Sequence, residues 1–242
     1  MAYFRDYPKT LYRFGDEKTT EQFQDLSSYI DIIDQVKDDA SVYAKYYIMN
    51  NERPDQLSYK LYGSPDFHWT FFVMNDNIRE QGWPLSNREI LEFVQRELPG
   101  NTITTRTVLT DKFKVGQVIE GASSGATGTI DHRHLDLGQI VISNATGTFI
   151  AGENVNSTNT DGVIETILVS SYANEYLSAH HYEDGDGITT DIDPSVGPGA
   201  LLSEVSYLDR YIRINDSLKE IRVLKRGVLF QIAEAYSEAL KS

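Results

Sequence analysis

The sequence contains no cysteine. That absence excludes disulfide staples, thiolate zinc sites and cysteine nucleophiles, and it leaves no mark of an oxidising compartment. Histidine is scarce, with 5 copies. Basic charge is in deficit: 22 Lys and Arg stand against 36 Asp and Glu, a formal net charge of −14. Such a chain repels nucleic acid and anionic membrane, so neither is expected as a partner. No apolar run approaches the roughly 20 residues of a membrane-spanning helix. Met1-Ala2-Tyr3-Phe4-Arg5-Asp6 also lacks the apolar stretch of a signal peptide, and the expectation is a chain that is not exported. What remains is 242 residues, 40% hydrophobic and 24% charged, which is one large soluble domain or two small ones. Fifteen tyrosines and 11% aromatics suit a protein gripped by other proteins.

The chain falls into pieces. Tyr3, Phe4, Tyr7, Leu11, Tyr12 and Phe14 crowd the start, an aromatic arm that docks on its own core or orders on a partner. Val42, Ala44, Tyr46 and Ile48 alternate with Tyr43, Lys45 and Tyr47, the period of a half-buried strand. Asn50-Asn51 turns the chain, Pro54-Asp55 starts a short helix, and Gly63 ends it. Ser64-Pro65 starts a second helix, apolar on two sides (Trp69, Phe72, Val73 and Phe67, Phe71, Met74), which Asn75-Asp76-Asn77 closes. Ser86-Asn87-Arg88-Glu89 is a capping box with the stripe Ile90, Phe93, Val94 and Leu98 behind it. Pro99-Gly100 stops that helix, and Thr102-Ile103-Thr104-Thr105 reads as a strand.

From about 109 to 169 the composition shifts to Gly, Thr, Val and Ile. Phe113-Lys114-Val115-Gly116-Gln117 returns 36 positions later as Phe149-Ile150-Ala151-Gly152-Glu153. Two related half-barrels satisfy that pattern, an inserted β-repeat module whose ends, Thr107-Val108 and Tyr172-Ala173, lie close together. The stretch 183–200 holds Glu183, Asp184, Asp186, Asp191 and Asp193 with no basic residue among them, which predicts an exposed, mobile loop. Between 210 and 226 the charge turns basic, Ile221-Arg222-Val223 reads as an edge strand, and Val228, Leu229, Ile232, Ala235, Tyr236 and Ala239 fit a terminal amphipathic helix.

Catalytic signatures are missing. The sequence has no Gly-x-Ser-x-Gly elbow, His-Glu-x-x-His pair, Walker loop or dinucleotide fingerprint, so no catalytic residue, cofactor or metal is assigned. His132 and His134 share a strand face but lack a third ligand, and His180-His181 point apart. Asp184-Gly185-Asp186-Gly187 opens like a calcium loop, yet Ile188 and Thr189 stand where a third oxygen ligand and a glycine are required.

The run Glu52-Arg53-Pro54-Asp55-Gln56-Leu57-Ser58-Tyr59-Lys60-Leu61-Tyr62-Gly63-Ser64-Pro65, continued through Trp69 to Asn77, resembles the core of a LysM module. Pro99-Gly100-Asn101-Thr102-Ile103 matches that module's closing strand. The longer string from Arg53-Pro54-Asp55 to Gly82-Trp83-Pro84-Leu85-Ser86 is similar to the LysM-bearing baseplate wedge subunit of contractile-tailed bacteriophages, the gene fifty-three type. Ile221-Arg222-Val223-Leu224-Lys225 matches the basic strand near that family's C-terminus. The resemblance covers roughly 1–108 and 171–242.

The resemblance implies an α+β fold with a LysM-like βααβ core and extra helices; the inserted small all-β repeat module is absent from the family's basic pattern. The division is 1–108 arm and core, 109–169 inserted module, 170–242 acidic loop and a C-terminal strand and helix returning to the core. It implies a structural, non-enzymatic subunit of the virion tail, assembled in the host cytoplasm in multiple copies around six-fold symmetry. The subunit would link adjacent wedges and help them close around the hub. Its implied partners are the wedge core heterotrimer and a sheath-initiating subunit of lysozyme-like fold. Candidate contact residues are Arg53, Tyr59, Tyr62, Trp69, Trp83, Arg222 and Lys225; Trp69 also fits a core position, and Leu57, Phe72 and Val73 fit the core better. The alternative is a LysM-type protein that binds peptidoglycan or chitin directly.

Overall fold

The computed structural model describes residues 9–13, 15, 19–24, 37 and 39–241. Tyr3, Phe4, Tyr7 and Phe14 of the aromatic arm lie outside the described residues. Lys9–Tyr12 (β1) and Glu21–Gln24 (β2) form an antiparallel hairpin. The chain divides into two compact units: residues up to 87 together with 215 onward, and 88–214.

In the first unit, Tyr43–Tyr47 (β3) leads through Asn51, whose φ of 65° makes the turn, to helix Pro54–Tyr62 (α1). Gly63, at φ 80°, ends α1 in the left-handed conformation that glycine adopts without strain. The second helix expected here is broken in two. Ser64 accepts from Asp66 N–H and starts a 3-10 turn, Pro65–Phe67, before helix Trp69–Met74 (α2) begins. Asn75 closes α2, but Asp76–Gln81 (α3) follows at once, a helix the closing Asn-Asp-Asn signal concealed. From the other end of the chain come Glu220–Leu224 (β13) and helix Arg226–Lys241 (α6). β13 pairs antiparallel with β3, Ile221 opposite Tyr46 and Val223 opposite Ala44. One core results, with Ile48, Leu57, Phe71 and Ile78 from the N-terminal part packed among Ile221, Val223, Leu229 and Tyr236.

In the second unit, helix Asn87–Glu97 (α4) runs in from the capping box. After it, six strands close into a barrel: Asn101–Thr105 (β4), Val118–Gly121 (β5), Thr127–His134 (β6), Gln139–Thr146 (β7), Asn154–Thr158 (β8) and Ile164–Asn174 (β9). Their order around the ring is β4-β7-β6-β5-β8-β9. Two expectations need correction. The strand at 101–105 pairs with β7 and β9, not with β3, because β13 takes that place in the first unit. The β-module is therefore wider than 109–169, with Thr102 opposite Ala173 at its base. Excising 109–169 would strip β4 of β7 entirely and cut β9 short, leaving its residues 171–174 beside β4.

The two Phe-x-x-Gly segments form matching corners. Phe113 and Phe149 are buried in one core, and Gly116 and Gly152 take φ of 87° and 88°. Gly116 N–H bonds Ile130 O and Gly152 N–H bonds Val169 O, both at 2.8 Å. Gln117 and Glu153 each donate from N–H to the carbonyl three residues back, at 3.1 Å. Exchanging β4 with β7, β5 with β8 and β6 with β9 reproduces the same ring of neighbours. Three of the five side chains differ between the corners, and at the fifth position Glu153 stands where the first corner has Gln117. The buried Glu153 carboxylate accepts from Ile150 N–H (2.6 Å), Ser123 N–H (3.0 Å), Ser124 N–H (2.9 Å) and Ser124 Oγ (2.8 Å). Gly121 makes room for it, since a Cβ there would lie 2.9 Å from both carboxylate oxygens.

Beyond the barrel, Ala179–Glu183 (β10), Thr189–Thr190 (β11) and Ser203–Ser206 (β12) form a small sheet in the order β11-β10-β12. The acidic stretch is more ordered than its composition predicts. Asp184 Oδ1 accepts from Asp186 and Ile188 N–H and shapes the β10–β11 turn. Arg213 from helix Tyr207–Ser217 (α5) binds Glu183 at 2.6 Å, so a basic residue from outside the stretch does relieve it.

Burial acts to raise the Glu153 pKa, and its hydrogen bonds outweigh that and hold it below the usual glutamate value. Its contribution is thus present above the unfolded-state pKa of about 4.3 and lost as pH falls through the lower folded value. We expect Glu153→Ala to cost about 2–3 kcal/mol at pH 7, where buried donors lose their acceptor, and to flatten the acid limb of stability against pH. Urea denaturation at several pH values measures both; an unchanged midpoint would mean the corner holds without the carboxylate.

Candidate interaction surface on the first unit

All seven candidate contact residues belong to the first unit. The strand–turn–helix path that sets them is organised by Glu52, which sequence reasoning passed over. Its carboxylate, 12% exposed, accepts from Tyr46 OH (3.0 Å), Met49 N–H (3.1 Å) and Lys60 Nζ (3.1 Å). Its carbonyl accepts from Trp83 Nε1 at 2.7 Å. Burial acts to raise the Glu52 pKa, but the donors prevail and lower it. The anion thus fixes β3, the turn and α1 together in a charge-assisted arrangement, and the main-chain carbonyl of the same residue holds Trp83.

Around that hub, Arg53 projects at the start of α1 and meets Asp55 at 3.1 Å. Tyr59 stands out from the same helix, 66% exposed. Trp83 is half-buried and tilts over Phe71 and Phe72, with ring centroids at 5.9 and 5.8 Å. Tyr47 and Met49, which the sequence did not single out, are exposed at the end of β3.

Two candidates are core residues. Tyr62 is buried, stacks on Phe71 and donates its hydroxyl to Leu224 O at 3.1 Å; burial pushes its pKa up to about 12. Trp69 is buried against Tyr236, rings 4.8 Å apart and nearly parallel. Their helices are packed on by α6, which arrives from the far end of the chain, so no surface remains for them.

Arg222 and Lys225 are clamps. Arg222 lies over the Tyr43 ring at 5.1 Å and donates to Lys37 O at 2.7 Å. Lys225 Nζ donates to Ser41 O (2.8 Å) and Ala40 O (3.2 Å). Both hold the chain that leads into β3, and both also border surface. Asn75, not anticipated as a key residue, bonds both main-chain groups of Arg222 through its side-chain amide.

Four of the five histidines lie in the second unit, and His68 lies in the first. His134 Nε2 meets Tyr207 OH at 3.1 Å, and His181 Nε2 meets Glu183 at 3.0 Å. Burial, then the His132 charge, lowers the His134 pKa; burial, then Arg210, lowers that of His180. Among the described residues no group of three or more His, Cys, Asp or Glu is placed to hold a metal ion. No helix there is long and apolar enough to cross a membrane.

Residues 13–95 match the family described as base plate wedge protein 53. The match takes in β3, α1, α2, α3 and most of α4, and over this segment the chain is similar to that family. The barrel, β13 and α6 lie outside it. No curated protein matches the chain.

Alanine substitution should separate the core candidates from the surface ones. Trp69→Ala should lower stability by about 3–5 kcal/mol, whereas Tyr59→Ala should stay within about 0.5 kcal/mol. Chemical denaturation followed by circular dichroism gives both numbers. Equal effects would mean that the assignment of Trp69 to the core and Tyr59 to the surface is wrong.

Proposed function

We propose that this chain is a structural subunit of a contractile phage tail that links adjacent baseplate wedges and helps them close around the hub. The observation that carries the reading is the match of residues 13–95 to base plate wedge protein 53, which supports a structural baseplate role and a place in the virion tail. Its partners on this reading are the other wedge subunits: the core heterotrimer and the sheath-initiating subunit of lysozyme-like fold. Assembly takes place in the host cytoplasm, with copies repeated around a six-fold axis.

The β3–α1–α2 order suits a LysM-like scaffold, with β13 supplying the second strand. We read that scaffold as a platform for protein contacts and not for glycans. The exposed Tyr47, Met49 and Tyr59 beside half-buried Trp83 are the aromatic and Met side chains that protein interfaces favour. Catalysis plays no part in the role.

The acidic second unit suggests electrostatic docking. Residues 175–209 hold 8 carboxylates and no lysine or arginine. Screening shortens from about 8 Å at physiological salt to about 3 Å at 1 M, so association with wedge subunits should weaken several-fold over that range. The decisive experiment is quantitative mass spectrometry of purified baseplates freed of sheath and capsid. The reading expects this chain there in a stoichiometry that is a multiple of six. Its absence from baseplates, together with retention on peptidoglycan reversed by N-acetylglucosamine oligomers, would install the glycan-binding alternative.

A further inference from the structure

The sheet of the first unit has two strands, β13 and β3, and its two outer edges differ. The β13 edge is partly closed by side chains, at Arg222 and Leu224. Arg222 N–H donates to Asn75 Oδ1 at 2.7 Å, and Arg222 O accepts from Asn75 Nδ2 at 2.8 Å. Leu224 O accepts from the Tyr62 hydroxyl at 3.1 Å. Asn75 therefore imitates a neighbouring strand at Arg222.

Among the described residues, the β3 edge is open. Ile48 N–H bonds Lys219 O and Lys225 N–H bonds Val42 O, both at 2.9 Å, at the two ends of the β3–β13 ladder. Antiparallel pairing alternates, so these bonds set its phase. Residues 42, 44, 46 and 48 turn their main-chain groups toward β13, and Tyr43, Lys45 and Tyr47 turn theirs outward. Among the described residues, nothing bonds the outward N–H and C=O groups of those three. Lys45 and Tyr47 are exposed and Tyr43 is half-buried. An open edge of this kind is a template for another strand.

We propose that β3 is the edge onto which a different baseplate subunit adds an extended strand, with an acidic residue opposite Lys45 and apolar or aromatic residues opposite Tyr43 and Tyr47. The proposal rests on the baseplate reading for the identity of the occupant. A second copy of this chain is the wrong occupant: antiparallel pairing of two β3 strands centred on this edge sets Lys45 against Lys45, and like charges directly opposite destabilise a sheet. Charge points to an acidic strand. The cleft of about 360 Å³ beside Lys45 is lined by three cations, Lys37, Lys45 and Arg222, and two carboxylates; Asp76 pairs with Lys37 at 3.0 Å and Glu220 with Lys45 at 2.5 Å, which leaves Arg222 as the cation in excess. That makes a locally positive site on a chain of net charge −14. Tyr43, stacked under Arg222, and Tyr47 give an incoming strand two rings to pack against, one on either side of the acid.

Residue-resolved amide hydrogen exchange tests this, comparing the free full-length chain with the chain in baseplates purified from phage. Ala44, Tyr46 and Ile48 should be protected in both. Tyr43, Lys45 and Tyr47 should exchange fast in the free chain and at least tenfold slower in baseplates. Lys45→Pro supplies a second arm. It removes an outward N–H and spares the ladder to β13, so the variant should keep its near-ultraviolet circular dichroism yet be absent from baseplates, whereas Lys45→Ala should still enter. If the proline variant does not fold, the exchange data decide alone. Unchanged exchange at the three amides in baseplates, or a folded Lys45→Pro chain that incorporates like wild type, overturns the added strand and leaves the baseplate reading standing. A chain missing from baseplates overturns both.

Discussion

The pairing of Tyr43–Tyr47 with Glu220–Leu224 is the constraint on which the rest of the first unit depends. It brings together strands that lie more than 170 residues apart in sequence. Through it Ile221, Val223, Leu229 and Tyr236 reach the core begun by Ile48, Leu57 and Phe71. The clamps follow from the same pairing: Arg222 and Lys225 can hold the carbonyls of Lys37, Ala40 and Ser41 only because β13 lies beside β3. Closing so long a loop costs less than its length suggests, because the entropy of closure grows only logarithmically with length. The first unit can therefore carry a large segment between its halves.

That intervening segment solves the edge problem differently. Its barrel is closed, so β4 to β9 leave no unpaired edge. Its corners are fixed internally, with Glu153 gathering donors from two loops. In the first unit Asn75 and Tyr62 cover part of the β13 edge, and among the described residues the β3 edge is open.

Much of this was legible in the residues. Alternation at 42–48, the Pro54 start and Gly63 stop of α1, and the Ser86 capping box all mark elements that exist, because local stereochemistry alone decides them. The return of Phe-x-x-Gly at 149 marks the second corner for the same reason. Partner choice was not legible. Nothing in Asn101–Thr105 says that it pairs with β7 and β9, since any half-buried strand has that composition. The burial of Tyr62 and Trp69 depends on α6, which arrives from the far end of the chain. Glu52 and Asn75 look like ordinary polar residues until the turn and β13 converge on them. Helix α5 did leave a mark that went unread: Ser206 and Asp209 form a reciprocal cap at its start, but Tyr211-Ile212-Arg213-Ile214 alternates like a strand.

The central claim is that the first unit is complete without the second. Leu85 and Asn215 are joined by two hydrogen bonds, from Leu85 N–H to Asn215 Oδ1 at 2.7 Å and from Asn215 Nδ2 to Leu85 O at 3.0 Å. A short glycine-serine linker between 87 and 215 should therefore span the gap left by removing 88–214. The chain's two tryptophans, Trp69 and Trp83, both remain. The most direct measurement is the near-ultraviolet circular dichroism of that shortened chain through thermal unfolding. The account predicts a native-like tryptophan signal, from Trp69 against Tyr236 and Trp83 against Phe71, lost in one cooperative transition. A chain with helical far-ultraviolet signal but no near-ultraviolet signal would contradict it, showing that the first unit needs the second in order to pack.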